Sequence, residues 1–127
     1  MIVSLMGSGS SNKKSNKTMR VGVVTYTADD PFINAMIEKV KSQLKTMETT
    51  NMNVIVSVRS GDNDQREQDE IVDEMIDAGC DVLCVNLVDR TAPANIIKSA
   101  RQSDIPVIFF NREPVRDDLM QWEKLYY

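Results

Sequence analysis

The sequence predicts an α/β fold, in which a doubly wound, mostly parallel sheet of about four strands is covered by helices. Short, nearly continuous apolar runs alternate with longer segments whose apolar residues recur every three or four positions. Most of these runs end at a turn rich in Asp, Asn, Gly or Pro. Continuous apolar strands joined by helices form parallel sheets that are covered on both faces. Right-handed crossovers then make such a sheet doubly wound.

The first strand is predicted over residues 20–27 and contains the run V-G-V-V at 21–24. Asp30 and Pro31 follow, an order that favours an N-cap and the first position of a helix. The next segment is predicted to be a helix because its apolar residues share one face: Ile33, Met36, Ile37, Val40, Leu44 and Met47.

The rest of the chain repeats this alternation. The second helix carries Ile71, Val72, Met75 and Ile76 and ends at Gly79, a residue suited to a helix C-terminus. The other predicted strands are residues 53–58, 81–86 and 105–110. The other predicted helices are residues 92–102 and a short acidic segment at 117–124. At 127 residues the chain has room for about one folded domain.

The first 19 residues differ in composition from the rest. Residues 7–17 are small, polar and basic, which is typical of a flexible linker. Residues 1–6 are apolar and too few to span a membrane. Residues 5–8 (L-M-G-S) resemble a bacterial lipoprotein cleavage box in which Ser8 replaces the lipidated Cys. We predict a signal-peptide remnant and linker over 1–19; a random apolar start remains the alternative.

Composition argues against several kinds of function. The net charge is −4 and the chain has no long basic stretch, so we predict no nucleic-acid partner. It contains no His, the commonest metal ligand and general base. It shows neither a Gly-rich phosphate loop nor a nucleophile beside a base. We therefore predict that the protein is not an enzyme and takes no cofactor and no metal.

The two cysteines, Cys80 and Cys84, are too far apart along a strand for a disulfide. Cys84 lies in the third predicted strand, where four residues span about 13 Å. A disulfide needs Cα atoms within about 7 Å, so pairing would break the strand. We predict that Cys84 lies in the core and that Cys80 is half-buried at the start of the strand.

Polar side chains and one ring follow three of the predicted strands. Asp30 and Phe32 follow the first strand, Asn86 ends the third, and Asn111 follows the fourth. In open α/β sheets, ligands bind beyond the carboxyl ends of the strands. Carboxylates and amides bind hydroxyl groups, and a ring covers the apolar face of a pyranose. These residues suit a neutral, polyhydroxylated ligand, although a purely capping role for Asp30 stays open.

Four segments resemble a known family: D-D-P-F at 29–32, G-D-N-D-Q at 61–65, C-V-N-L-V-D-R-T-A-P-A-N-I-I-K-S-A-R at 84–101, and I-P-V-I-F-F-N-R-E-P at 105–114. They are similar to the galactose/glucose-binding proteins. These are type I periplasmic sugar-binding components of bacterial ABC transporters, and they also serve chemotaxis. The resemblance covers about residues 21–127.

The resemblance implies a Rossmann-like lobe, one of two that enclose a sugar. It implies that Asp30 and Asn86 bind sugar hydroxyls, that Phe32 stacks on the sugar, and that Asn111 lies at the same edge. The implied partners are galactose or glucose, a second lobe and a membrane ABC permease. The implied location is periplasmic or extracytoplasmic. The L-M-G-S segment adds a lipoprotein anchor as one alternative for the native full-length form, although Ser8 itself has no thiol to carry a lipid.

The resemblance also implies that the folded part, residues 20–127, is an N-terminal sugar-binding lobe that is incomplete at its C-terminal end. The second lobe, with its stacking ring, lies beyond the sequence. We therefore expect this piece to bind sugar weakly or not at all on its own. The alternative function is a sugar-sensing domain of a bacterial signalling or regulatory protein.

Overall fold

The computed structural model describes residues 17–127 as one parallel sheet with helices on both faces. The strands are β1 (Lys17–Thr25), β2 (Met52–Ser60), β3 (Val82–Val85), β4 (Val107–Phe109) and β5 (Leu125–Tyr126). The helices are α1 (Pro31–Lys45), α2 (Gln65–Asp77), α3 (Ala94–Gln102) and α4 (Arg116–Leu119). All four strand pairings are parallel, so the predicted α/β class is confirmed.

The strand order is β2-β1-β3-β4-β5, and the chain changes direction across the sheet at β1. From β1 it moves outward to β2, and it then returns past β1 to β3. A crevice forms where the order reverses, beyond the carboxyl ends of β1 and β3. We call the loops at this end of the sheet, residues 26–30, 61–64, 86–93 and 110–115, the carboxyl edge.

Side chains on the two faces of the sheet enter two different cores. The first core lies under α2 and α3 and contains Val24, Leu83, Val85, Val107 and Phe109 from the strands. The second lies under α1 and contains Val21, Val23 and Val54 from the strands. We call these two sides of the sheet the α2–α3 face and the α1 face.

The α1 face is covered only in part. An open groove of about 300 Å³ runs between α1 and the β3–β4 side of this face, and we call it the apolar groove. Its strand side includes Val82, Cys84 and Ile108. Ile108 keeps 40% of its surface exposed, whereas its neighbour Phe109, on the opposite face, is buried.

Two elements near the end of the chain differ from the prediction. Leu125 and Tyr126 form a fifth strand beside Val107 and Ile108, and two residues are too few to show an apolar pattern. The acidic segment is helical only over Arg116–Leu119, and turns replace the rest of the predicted helix. In residues 17–127 no helix is both long and apolar enough to cross a membrane.

β1 begins at Lys17, three residues before the predicted boundary between residues 19 and 20. Residues 17–19 pair in register with residues 52–54 of β2, so partner-strand hydrogen bonds extend β1 into the polar segment. These three residues therefore belong to the sheet and not to the linker. The predicted signal-peptide remnant, and the rest of the predicted linker, lie outside the described residues.

The burial of the two cysteines is the reverse of the prediction. Cys80 is buried on the α2–α3 face, and Cys84 is half-buried in the apolar groove. The prediction was wrong because it assumed that helices cover both faces of β3. Removal from water still raises the pKa of Cys84 to about 11.

Candidate functional site

The carboxyl edge brings two of the predicted ligand residues into contact. The Asn86 amide Nδ2 donates to Asn111 Oδ1 at 3.2 Å, which joins the ends of β3 and β4. Asn86 Oδ1 accepts from the backbone N–H of Tyr26 at 3.2 Å, which joins the end of β1. One amide therefore ties three strand ends together, across the point where the strand order reverses.

Asp30 is the N-cap of α1. Its Oδ1 accepts from the backbone N–H groups of Phe32 and Ile33 at 2.9 and 3.1 Å. The capping role that the sequence left open is therefore present. Its other oxygen, Oδ2, accepts from the Tyr26 hydroxyl at 2.6 Å.

The contact between Asp30 and Tyr26 changes the acidity of both groups. The hydrogen bond from the Tyr26 hydroxyl, helped by the backbone N–H groups of Ile33 and Phe32, holds the pKa of Asp30 below its usual value. The same hydrogen bond to Asp30 raises the pKa of Tyr26. At neutral pH the pair is therefore a carboxylate and a protonated phenol, and Asp30 keeps lone pairs that a ligand hydroxyl can use.

Phe32 lies in the first turn of α1, next to this pair. Its backbone N–H donates to the Asp30 carboxylate, while 64% of the residue's surface remains exposed. This exposed apolar ring, carried by the first turn of a helix two residues after Asp30, is available to stack on a ligand.

Asn86 and Asn111 differ in exposure. Asn86 is completely buried, so in this structure it supports the edge without facing solvent. Asn111 is exposed and has a positive φ of 66°, a left-handed conformation that Asn tolerates better than most residues. The amide of Asn111 thus continues the Asn86 network to the surface.

Sequence reasoning missed Tyr26 and gave no role to Arg112. The Arg112 guanidinium lies over the Tyr26 ring, 3.9 Å from its centroid. Its Nη1 also donates to the carbonyls of Leu87 and Val88 at 3.3 and 2.8 Å. The available signal was position: Tyr26 directly follows β1, and Arg112 follows β4 by three residues.

An open groove of about 720 Å³ lies beside Asn111 and Arg112. Charged side chains dominate its lining, among them Asp89, Arg90 and Glu113. Asp89 accepts from the hydroxyl and the backbone N–H of Thr91, and these two hydrogen bonds lower the pKa of its carboxyl group. The edge therefore combines acceptors, donors and rings, which suits a ligand with many hydroxyl groups.

Comparison with known proteins points in the same direction. The sequence profile of a family described as periplasmic binding protein domain matches residues 21–127. The chain is 30% identical over 119 residues to the D-galactose/methyl-galactoside binding periplasmic protein MglB of Haemophilus influenzae. That match covers 94% of this chain and 35% of the relative. The chain is 26% identical to the ribose import binding protein RbsB of Bacillus subtilis, over 80% of this chain and 32% of the relative.

Solved structures share the fold. The fructose binding periplasmic domain of a hybrid two component system matches with a TM-score of 0.64 and 28% identity, over 78% of this chain and 31% of that one. A Caulobacter myo-inositol binding protein matches with a TM-score of 0.68 and 22% identity, over 76% of this chain and 31% of that one. The chain thus spans about a third of the length of these relatives. All four are named as binding proteins or domains, in agreement with the prediction of a non-enzyme.

Proposed function

The chain belongs to the periplasmic binding protein domain family, and we propose that residues 20–127 are the N-terminal sugar-binding lobe of a galactose/glucose-type substrate-binding protein. In this proposal a galactose or glucose molecule lies at the carboxyl edge, and the full-length protein serves a membrane ABC permease or chemotaxis. The proposed location is the periplasm or the outside of the cytoplasmic membrane, with a lipoprotein anchor as one alternative for the native full-length form.

The observation that carries the proposal is the exposed Phe32 ring beside the Asp30 carboxylate. The ring offers an apolar face to the C–H surface of a pyranose. Asp30 offers acceptor lone pairs to an adjacent hydroxyl while its Oδ1 stays on the helix cap. Asn111, linked to the buried Asn86, supplies an amide at the same edge. Of the four residues predicted to bind the sugar, we assign Asp30, Phe32 and Asn111 to direct contact, and the fully buried Asn86 to holding Asn111 in place.

The galactose/glucose class is supported by the relative from Haemophilus influenzae, whose name specifies galactose and methyl-galactoside. The segments N-L-V-D at 86–89 and F-F-N-R-E-P at 109–114 provide the same support from the sequence. Ribose is the main alternative ligand, because the Bacillus subtilis relative is named a ribose import binding protein.

We propose weak binding for this chain alone. A single lobe leaves one face of the sugar in water, and each hydrogen bond that the second lobe would add contributes about 0.5–1.5 kcal/mol. Losing several of these bonds and a second stacking face moves Kd from the micromolar toward the millimolar range, since each 1.4 kcal/mol is about tenfold.

The proposal is tested by titrating the isotope-labelled chain with galactose, glucose, ribose and fructose up to about 100 mM, enough to detect a millimolar Kd. We expect amide shifts at Tyr26, Phe32 and Asn111, with galactose or glucose binding most tightly. The variant Phe32→Ala should bind about two- to tenfold more weakly, because a stacked ring contributes about 0.5–1.5 kcal/mol beyond its area.

The matched control is Met47→Ala, just beyond the opposite end of α1. Met47 is 58% exposed and Phe32 is 64% exposed, so the two changes remove similar exposed apolar groups. Met47→Ala should bind as the parent does. Absence of shifts with all four sugars would overturn the sugar proposal, and a micromolar Kd would overturn the claim of weak binding.

A sugar-sensing role is the second candidate, favoured by the 28% identity to a fructose binding periplasmic domain of a hybrid two component system. The two functions predict different defects when the gene is deleted. Transport predicts lost uptake of labelled sugar. Sensing predicts normal uptake and a lost transcriptional response to the sugar.

A further inference from the structure

A buried glutamine, Gln68, lies directly behind the carboxyl edge. It is on the apolar face of α2, one turn before Ile71 and Val72, and none of its surface is exposed. A buried amide without partners is costly, so a glutamine in such a place is expected to hold specific groups.

The Gln68 amide holds the ends of β1 and β3. Its Nε2 donates to the carbonyl of Thr25 at 3.2 Å and to the carbonyl of Asn86 at 2.9 Å. Its Oε1 accepts from the backbone N–H of Val88 at 3.1 Å. Thr25 is the last residue of β1, and Asn86 and Val88 are the first and third residues of the loop after β3. A single side chain thus sets the spacing between these two strand ends.

Two neighbours restrict how Gln68 can move. The Gln65 amide donates to Gln68 Oε1 at 3.0 Å and accepts from the Asp89 N–H at 2.8 Å, which extends the network along the same loop. Gly61, at the end of β2, packs so closely that an added Cβ would lie 2.9 Å from Gln68 Cβ. The glutamine is therefore fixed by both packing and hydrogen bonds.

We propose that Gln68 is a positioning residue for the sugar: it holds the Asn86–Val88 loop in register with Tyr26, Asp30 and Phe32. This inference rests on the proposed function. The side chain does not touch the ligand. It acts by holding the backbone carbonyl of Asn86, whose side-chain amide joins the Tyr26 N–H to Asn111. It also holds the N–H of Val88, whose carbonyl accepts from Arg112.

The test compares Gln68→Met with Val72→Ala in the full 127-residue chain. Met keeps the length of the side chain and loses its hydrogen bonds. Val72 is fully buried on the same helix face, so its truncation lowers stability without a polar contact to the edge. Sugar titrations should show a Kd about tenfold higher for Gln68→Met, the equivalent of about 1.4 kcal/mol. The Val72→Ala variant should stay within about twofold of the parent, because its loss is one of stability.

Hydrogen exchange without sugar provides the second readout. The Val88 amide should exchange at least about tenfold faster in Gln68→Met, relative to the Val107 amide, which donates to the Lys124 carbonyl at 3.0 Å in another part of the sheet. Equal acceleration at both amides would mean general destabilisation and would overturn the proposal. So would an unchanged sugar Kd in a parent that binds sugar.

If the parent binds none of the sugars, the proposed function fails, and the exchange of Val88 alone decides whether Gln68 holds the edge. If Gln68→Met does not fold, Gln68→Glu replaces it, because Glu keeps an acceptor and loses the donors to both carbonyls. Unchanged sugar affinity in Gln68→Glu would then overturn the proposal.

Discussion

Asp30 shows how one side chain can serve both the fold and the site. One of its oxygens caps α1, and the other accepts the Tyr26 hydroxyl. Both interactions favour the ionised form, which explains why the pKa of Asp30 is lowered. Because the pKa is lower in the folded chain than in the unfolded chain, ionised Asp30 stabilises the fold at neutral pH. That contribution is lost as the pH falls from the ordinary carboxyl range through the lowered pKa.

We predict that Asp30→Asn removes this part of the acid sensitivity. Asn caps helices about as well as Asp through its one oxygen, so the variant keeps the cap. It loses the titrating charge together with the oxygen that accepts from the Tyr26 hydroxyl, because the Asn amide nitrogen is a donor. The urea midpoint of Asp30→Asn should be lower than that of the parent at about pH 7, and the difference should shrink toward about pH 3. A constant difference over this pH range would show that Asp30 does not titrate with an altered pKa.

Sequence reasoning located the residues of the edge better than it described their environment. The helix start at Asp30, with Phe32 in the first turn, was predicted correctly because a cap followed by Pro depends only on local chain geometry. The burial of Asn86 and its link to Tyr26 depend on the register of β3 against β1, which no local pattern reveals. Gln68 left a usable signal, since it is a polar residue on the otherwise apolar face of α2.

At the scale of elements, the helices begin in two different ways. α1 and α2 start at Asp30 and Asp64, and both carboxylates accept backbone N–H groups of the first turn. α3 starts after Pro93 without a side-chain cap. All of these helices start from loops of the carboxyl edge, and the two caps fix the loops that follow β1 and β2.

We predict that Asp64→Ala lowers the free energy of unfolding by about 0.5–2 kcal/mol, the usual loss for an N-cap. Asp64 Oδ1 accepts from Arg66 N and Glu67 N at 2.9 and 3.3 Å, and Ala offers no acceptor in its place. Urea unfolding of the two proteins measures the difference. The variant Asp64→Ser should recover most of the loss, because Ser also caps. Equal losses for Ala and Ser would exclude capping as the cause.

The elements that were predicted poorly are strands because of pairing with a neighbouring strand, and their own residues show no apolar pattern. The first three residues of β1 and the two residues of β5 are strands because a neighbouring strand offers hydrogen bonds. The long amphipathic helices and the apolar strands were predicted well, since each carries its own pattern of burial. Short and polar elements carry little such pattern.

At the scale of the whole molecule, the two faces of the sheet are unequal, and the strand order explains why. The step from β1 to β2 places α1 on one face. The steps from β2 to β3 and from β3 to β4 run in the opposite direction, so right-handed crossovers place α2 and α3 on the other. The part of the α1 face that lies over β3 and β4 is therefore only partly covered, and it forms the strand side of the apolar groove.

We predict that the same kind of truncation has very different effects on the two faces. Leu83 is fully buried on the α2–α3 face, and Leu83→Ala should lower the free energy of unfolding by about 2–5 kcal/mol through a cavity that the packed core cannot close. Ile108 lies in the apolar groove with 40% of its surface exposed. Ile108→Ala should lower the free energy of unfolding by less than about 1.5 kcal/mol, because only part of the Ile108 side chain leaves water on folding. Denaturant unfolding of both variants measures the two losses, and equal losses would show that the α1 face over β3 and β4 is as well packed in solution as the α2–α3 face.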